Sequence, residues 1–445
     1  MYPKDTALAS KVCLRPPAAG RTDASSDSPE RTSEAVRKWL LYSTLFGVFG
    51  SRFLVIVGGL ALFYFYFVVI INLLLLAAMG HLWVPAKLRW FLGYLFVSGT
   101  LGLLLGTNSA PGFVKSLVGI AMCALCSAAM LRYFRFNVVG LFRYYAQFAF
   151  YAAIIGLLYL PFQGDRFGRL VGLALEPSVF CLVCMPALYF YADEWQRCRR
   201  HGVRLLVLLA AYLLTLSSLG YLGLLFGGLL FGKRYRIGRA LVPVVLCTVA
   251  IVIYQQSDLF QARLDDTLTG LVAGDVDGIN ASSFGVVANL LITEQQFADH
   301  TLLGGGLGSH IIAHAKYIDQ VPGAAYQSEE VHSLGQWDAS SLFLRITSEF
   351  GLVGLVASAW FLVWFYPRRV TIEEQAISMA LLCYIFMKLL RSGEYFGGEQ
   401  FFFLAIYAVI GMKSRFRAHL EARAHALSIA PADPTTAPGA LPATT

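Results

Sequence analysis

Long apolar runs alternate along the chain with short basic clusters. A helix needs about 20 apolar residues to cross the hydrocarbon core of a bilayer. Runs of that kind fall at 40–58, 61–80, 90–107, 113–131, 144–160, 177–191, 204–216, 219–231, 240–255, 341–366, 376–390 and 400–412, and several are short. The pattern predicts an all-α polytopic membrane protein with about 12 transmembrane helices. At its start two readings stay open: two helices, or one long helix over 53–80 with Arg52 at its cytoplasmic end and 40–50 lying at the interface.

The basic clusters add sidedness, because cytoplasmic loops are enriched in Lys and Arg. They are Lys87/Arg89, Arg132/Arg135/Arg143, Arg197/Arg199/Arg200/Arg204, Lys233/Arg234/Arg236/Arg239, Arg368/Arg369 and Lys413/Arg415/Arg417. If all lie on one side, an even number of crossings separates each neighbouring pair. That makes 204–231 a helical hairpin turning near Ser217-Ser218-Leu219-Gly220, and it favours two helices before residue 81. Residues 1–39 and 413–445 are then cytoplasmic tails, with 1–39 and 421–445 disordered, and no cleavable signal peptide is expected. Helices 1–9 occupy 40–255 and helices 10–12 occupy 341–412. The polar stretch 256–340 between them is a large extracytoplasmic loop, periplasmic if the membrane is a bacterial inner one. It holds eleven Asp and Glu, two basic residues (Arg263 and Lys316) and four of the eight histidines. Its helical stretches at 286–299 and 310–320 and its Gly-rich turn at 304–308 predict partial order.

Composition agrees. Hydrophobic residues make up 57% and charged ones 14%, with mean hydropathy +0.62, against about a quarter charged in soluble domains. The formal charge of +8 sits between apolar spans, where anionic lipid explains it and nucleic acid does not. Cys123/Cys126 and Cys181/Cys184 have C-x-x-C spacing but lie in apolar helices without further ligands, which predicts small packing residues. No H-E-x-x-H, G-x-S-x-G or P-loop occurs. His310 and His314 are four apart without a clear third ligand, so no metal and no cofactor is expected.

Four stretches carry polar chemistry on the side away from the basic clusters. Arg169 and Glu176 flank an apolar dip, and Glu176 precedes Pro177 at a helix start, where it either caps the helix or lines a cavity. Leu303-Gly304-Gly305-Gly306-Leu307-Gly308 reads as a tight turn. In 337–354, Asp338 or Ser340 is expected to cap a helix, and Arg345 and Glu349 share a face, either paired or with Arg345 free for an anion. Around Ser392-Gly393 and Gly397-Gly398 stand Lys388, Arg391, Glu394 and Glu399.

These residues, in this order, resemble the O-antigen polymerase/ligase superfamily of bacterial envelope glycan enzymes. The resemblance rests on Arg169…Gly172…Glu176-Pro177-Ser178, Leu214-Thr215-Leu216-Ser217-Ser218…Gly220, the 303–308 turn, and Ser340-Ser341-Leu342-Phe343-Leu344…Glu349-Phe350-Gly351-Leu352-Val353-Gly354, and it covers about residues 90–412. It implies an inner-membrane enzyme that transfers a glycan from a polyprenyl-pyrophosphate carrier on the periplasmic face, without metal or nucleotide sugar. Ligases of the family typically show His-Asn where this chain has Ser340-Ser341, and more often Asp-Pro-Asn in place of Glu176-Pro177-Ser178. Many members show Ser-Arg-Gly at the 217–220 hairpin, so an expected Arg is absent here. The resemblance therefore favours a polymerase, of the exopolysaccharide kind that makes xanthan, over a ligase attaching glycan to lipid A-core. A transporter or flippase of lipid-linked glycan is the rival from another class. No internal repeat and few mid-span charges speak for it.

In this reading Glu176, Arg169 and Arg345 are the catalytic candidates, with Glu176 the general base and the arginines steadying the pyrophosphate. Arg391, Arg263, Glu349, His310, His332 and Trp337 are candidates for binding pyrophosphate or glycan, and His310 or His332 stands behind Glu176 as base. The implied partners are the lipid-linked oligosaccharide, the bilayer, a chain-length regulator and other export proteins.

Overall fold

The computed structural model describes residues 29–50, 53–57, 60–162, 168–232 and 281–429, with positions 261 and 265 besides. The span expected at 240–255, the basic cluster at 233–239, Arg263 and most of 256–280 lie outside the described residues. The described chain is helical apart from one antiparallel hairpin, β1 (Leu54–Val57) and β2 (Leu60–Phe63), with Leu54 opposite Phe63 and Val57 opposite Leu60. Eight helices come first: α1 (Pro29–Phe49), α2 (Tyr64–Ala78), α3 (Ala86–Leu104), α4 (Ala110–Tyr133), α5 (Val138–Tyr159), α6 (Pro177–Cys198), α7 (Gly202–Leu213) and α8 (Ser218–Gly232). A second group follows, α9 (Ala281–Asp299), α10 (His310–Tyr317) and the single turn α11 (Glu329–His332). Three long helices close the chain: α12 (Leu342–Trp364), α13 (Ile372–Arg391) and α14 (Gln400–Ile429).

Among the described residues three segments are long and apolar enough to cross a membrane: α4, α12, and α5 with the turn after it, Val138–Phe162. Helices α2, α7 and α8 are apolar but shorter. The outward surface is apolar as well. Trp90 is 81% exposed and Leu104 79%, a surface that water penalises at about 25 cal/mol per Å² and hydrocarbon does not. Local signals set the helix ends. Ser109 and Asn137 cap α4 and α5 by accepting from the Gly112 and Gly140 amides. Thr371 and Glu374 form a reciprocal capping box on α13. Pro177 begins α6.

Three boundaries differ from expectation. Helix α1 begins at Pro29, inside the stretch expected to be a disordered tail; residues 30–46 hold no Gly or Pro, and Glu34 pairs with Lys38 one turn on. Helix α14 continues beyond 412 to Ile429 through a run rich in Ala, Arg and Leu. Two described helices precede residue 81, the reading the basic clusters favour, but a hairpin joins them where apolar span was expected; the β-branched Val55-Ile56-Val57 before Gly58-Gly59 suits a strand and turn.

Contacts sort the helix ends into two groups. At one end Lys413 Nζ donates to Phe136 O (2.9 Å), Arg143 pairs with Glu373 (2.8 Å), Arg417 pairs with Glu374 (2.7 Å), and the Arg368 and Arg369 amides both donate to Ser414 Oγ. Lys87 and Arg415 both lie over the Trp364 ring. The described basic clusters thus gather at this end. At the other end the Leu170 amide donates to Leu214 O (2.9 Å), Ser341 Oγ to Leu389 O (2.5 Å), and Lys388 pairs with Glu399 (2.7 Å). The α7–α8 turn lies there too, at the expected hairpin. Helix α13 packs against α5, α6, α8, α12 and α14, so both sides of the bundle meet on it.

At that second end α12 is broken. Gly351 has φ 57° and ψ −147°, outside any helix. The break frees the carbonyls of Ser348 and Glu349 and the amides of Leu352 and Val353 from their i→i−4 partners. The Gly-rich turn satisfies all four. The Gly305 and Gly306 amides donate to Ser348 O (3.0 Å) and Glu349 O (2.8 Å), and Leu352 and Val353 donate to Thr301 O (2.9 Å) and Leu302 O (3.1 Å). Behind the turn, Thr107 Oγ1 donates to Gly305 O (2.9 Å) and Asn108 Nδ2 to Leu307 O (2.6 Å). A β-carbon on Gly304 would lie 2.4 Å from the Glu349 carbonyl carbon.

Gly304 also has φ 64°, so Gly304→Ala adds about 1–3 kcal/mol of backbone strain to that overlap. Thermal unfolding of the purified protein is expected to show a clear fall in midpoint for Gly304→Ala. Gly93→Ala, on α3 with nothing within 4 Å of its β-carbon, should melt with the wild type or slightly above it. Equal midpoints for both variants would show that the turn is not what holds α12.

Candidate functional site

The break in α12 sets the positions of a polar cluster in a part of the chain that is otherwise apolar. Arg345 and Glu349 point to one face, and Arg345 Nε donates to Glu349 Oε1 at 3.0 Å. Both are buried, at 5% and 0% exposure. The guanidinium also donates to Gly393 O (3.0 Å) and lies 4.0 Å from the Tyr395 ring centre. Arg345 is therefore a paired, buried group and not a cation free for an anionic ligand. Glu349 Oε2 and the Tyr395 hydroxyl are buried without a well-formed hydrogen bond.

The segment after α13 closes over this pair. Gly393 sits so tightly that a β-carbon there would lie 1.5 Å from Asp338 O. Lys388 Nζ, 2% exposed in its side chain, meets Glu399 Oε1 at 2.7 Å, and Tyr384 Oη donates to the same oxygen at 3.1 Å. Glu394 stands between the two ion pairs and is half-buried. Burial raises its carboxyl above the usual range; Lys388 and Arg345 oppose that rise, and Glu399 and Asp338 add to it. Next to Asp338, against which Gly393 packs, Ala339 and Ser340 both have positive φ, 55° and 58°. Two consecutive non-glycine residues in this region store roughly 1–3 kcal/mol each, a strain that gathers at functional sites. The α12 cap is Ser341, whose Oγ accepts from the Leu344 amide, and not Asp338 or Ser340. Asp338 instead accepts from the Ser340 amide (3.0 Å).

On α12 next to the Arg345–Glu349 pair, a buried chain of side chains ties α9, α10 and α12. Asn289 Nδ2 donates to Gly285 O (2.5 Å) and Leu334 O (3.0 Å), which leaves its Oδ1 as acceptor. His310 Nε2, 2.9 Å away, must donate to it. His310 Nδ1 then accepts from Ser348 Oγ at 3.0 Å. The imidazole is neutral: burial, then Arg345, then His314, hold it down to about 3. With both nitrogens engaged and 1% of its surface exposed, His310 has no lone pair to offer a substrate. His332 Nε2 is bonded to Ala324 O. Trp337 is exposed, with the Lys115 ammonium 4.5 Å from its ring centre.

Arg169 and Glu176 lie at the same end but on the α5–α6 connection, beside the α7–α8 turn. Glu176 is exposed at the N-cap position of α6, makes no side-chain cap bond, and accepts from Ser178 Oγ (3.1 Å). Arg391 ends α13 and is half-buried. The structure thus brings Arg345, Glu349 and His310 together, with Arg391 close in the chain to Gly393. It sets Arg169 and Glu176 on the α6 flank of α13. Sequence reasoning assigned no role to Asn289, Ser348 or Tyr395, and it named Lys388, Glu394 and Glu399 without pairing them. The Lys388–Glu399 separation spans a turn rather than a helix face, so helical spacing gives no signal for it. Cys123, Cys126, Cys181 and Cys184 are buried free thiols, as expected. Among the described residues no three His, Cys, Asp or Glu come together as metal ligands.

Two outcomes follow. Lys388→Met leaves Glu399 buried without its cation, which costs about 3–5 kcal/mol, whereas replacing both partners by neutral side chains costs far less. Chemical unfolding should therefore rank Lys388→Met well below Lys388→Met/Glu399→Gln; the reverse order would refute the pairing. For His310, the unfolded side chain titrates near 6.5 and the folded one near 3. Its stabilising contribution is complete above about pH 6.5 and is lost as the pH falls toward 3, at up to about 1.4 kcal/mol per pH unit. His310→Gln is expected to flatten the decline in melting temperature between pH 6.5 and 4. No protein-family model and no curated protein matches the chain, so the site is interpreted from its own geometry.

Proposed function

We propose that the chain is a polysaccharide polymerase that joins polyprenyl-pyrophosphate-linked oligosaccharide repeat units on the periplasmic face of a bacterial inner membrane. In this reading the basic end is cytoplasmic, about twelve helices cross the bilayer, and the region 256–340 is extracytoplasmic. One observation carries it. Residues 303–308, 337–354 and 388–399, far apart in the chain, meet at the end of the bundle opposite the basic clusters. Two of these three stretches also carry the family resemblance. A site of this composition suits transfer from a pyrophosphate carrier, which needs a proton acceptor and fixed positive charge but no cofactor. Arg169 and Arg391, both at that end, are suited to meet phosphate oxygens in two places.

The test uses the purified full chain in lipid nanodiscs with a polyprenyl-pyrophosphate-linked repeat unit. The expected product is a ladder of higher oligomers with release of the lipid pyrophosphate. Single units left unextended, with a functional assembly shown by monodisperse material, would refute the reading. In a strain lacking the gene, Arg169→Ala and Arg345→Ala should each shorten the glycan at matched expression. Normal chain length from both would remove these residues from the mechanism.

A further inference from the structure

Among the described carboxylates at this end of the bundle, Glu394 has surroundings unlike those of Glu349, Glu399, Asp338 and Glu176. Glu349 is held by Arg345 and Glu399 by Lys388. Asp338 takes the Ser340 amide, and Glu176 is exposed and takes the Ser178 hydroxyl. Glu394 has no hydrogen bond or ion pair among the described residues, although Lys388, Arg345, Glu399 and Asp338 all lie close enough to act on its charge. From the helices on its other side, Tyr66 of α2 and Cys123 of α4 feel its charge as well. It is half-buried and reachable, while the cations beside it are already neutralised by other partners. The two histidines named as candidate bases are engaged, His310 at both ring nitrogens and His332 on a backbone carbonyl. His314, whose Nε2 has no hydrogen-bond partner among the described residues, is 4% exposed and closed to an acceptor sugar.

We propose that Glu394 is the general base of the transfer, a role that rests on the polymerase reading above. The acceptor sugar presents a hydroxyl to the Glu394 carboxylate. As the hydroxyl oxygen bonds to the anomeric carbon of the donor, its proton passes to Glu394. The bond from that carbon to the pyrophosphate oxygen breaks, and its electron pair leaves with the polyprenyl pyrophosphate. Glu394 then returns the proton to solvent. With Glu349 and Glu399 held in ion pairs, the Glu394 carboxylate can change protonation state without breaking one. Burial, then Glu399 and Asp338, raise its carboxyl above the usual range, the direction that favours proton acceptance.

The experiment measures polymerisation of the lipid-linked repeat unit by the full-length protein in nanodiscs. Glu394→Gln keeps size and shape and loses the proton-accepting oxygen. It is expected to lower kcat about 10²- to 10⁴-fold with KM changed by less than about fivefold. Glu394→Asp should retain more activity than Glu394→Gln. In the wild type the acid limb of kcat/KM should lie above the ordinary glutamate value of about 4.3, and it should be missing from the residual activity of Glu394→Gln. A Glu394→Gln variant within about threefold of wild type overturns the assignment while the polymerase reading stands. A wild-type protein that leaves the unit unextended overturns both. Should Glu394→Gln fail to assemble, the wild-type profile decides: no acid limb above the ordinary glutamate value overturns the proposal.

Discussion

Everything at the polar end depends on four backbone hydrogen bonds across the break in α12. A helix interrupted in an apolar setting leaves amides and carbonyls that no water can satisfy, each worth several kcal/mol. Such a break persists only where other backbone supplies the missing partners. Residues 301–306 do this in register, two amides to two carbonyls and two carbonyls to two amides. The glycines of the turn follow from the geometry. A side chain at Gly304 would strike the α12 backbone, one at Gly306 would come within 2.7 Å of Ser98 O, and one at Gly308 within 2.6 Å of Gly112 O. The turn is therefore a wedge between α3, α4 and α12, and it carries α9 and α10 into place with it.

From this wedge the electrostatics follow. Ser348 and Glu349 immediately precede Gly351, so fixing the break also fixes where their side chains point. Ser348 then meets His310 and Glu349 meets Arg345. A buried ion pair is poor evidence for stability, because desolvation offsets most of its attraction. Its value here is positional: Arg345 joins α12 to Gly393 and the Tyr395 ring, and Lys388 joins α13 to the start of α14 through Glu399. Two opposed pairs hold the segment 392–399 in a single conformation while adding little net charge of their own.

Much of this arrangement was legible in the sequence, and the reasons for the remainder are physical. Apolar runs and basic clusters located most helices and sorted their ends, because both signals are local and additive along the chain. The α7–α8 hairpin came from parity of crossings alone. Helical spacing put Arg345 and Glu349 on one face, and left open whether Arg345 is paired or free. The Gly-rich turn was read as a turn, but its partner was hidden, since Gly351 looks like any glycine in an apolar helix. The same limit applies to Asn289, Ser348 and the Lys388–Glu399 pair. Their meaning arises from tertiary approach across elements far apart in the chain, which periodicity does not encode. The hairpin at 54–63 was missed for a different reason: a short apolar β-branched run has the same hydropathy as a helix of equal length.

The paired cations also constrain how a substrate with both a pyrophosphate and a sugar would lie. Arg345 and Lys388 are neutralised inside the protein, so neither can meet a phosphate without giving up its carboxylate. Glu394 and Asp338 repel an anion at the centre of the cleft, and a neutral hydroxyl escapes that repulsion. In the proposed reaction the centre of this cluster therefore suits the neutral acceptor hydroxyl, and a phosphate could enter it only by opening the Arg345–Glu349 or the Lys388–Glu399 pair. Charge alone would then keep the two ends of the substrate apart, because the same two pairs that fix segment 392–399 also neutralise the cations a pyrophosphate would need there.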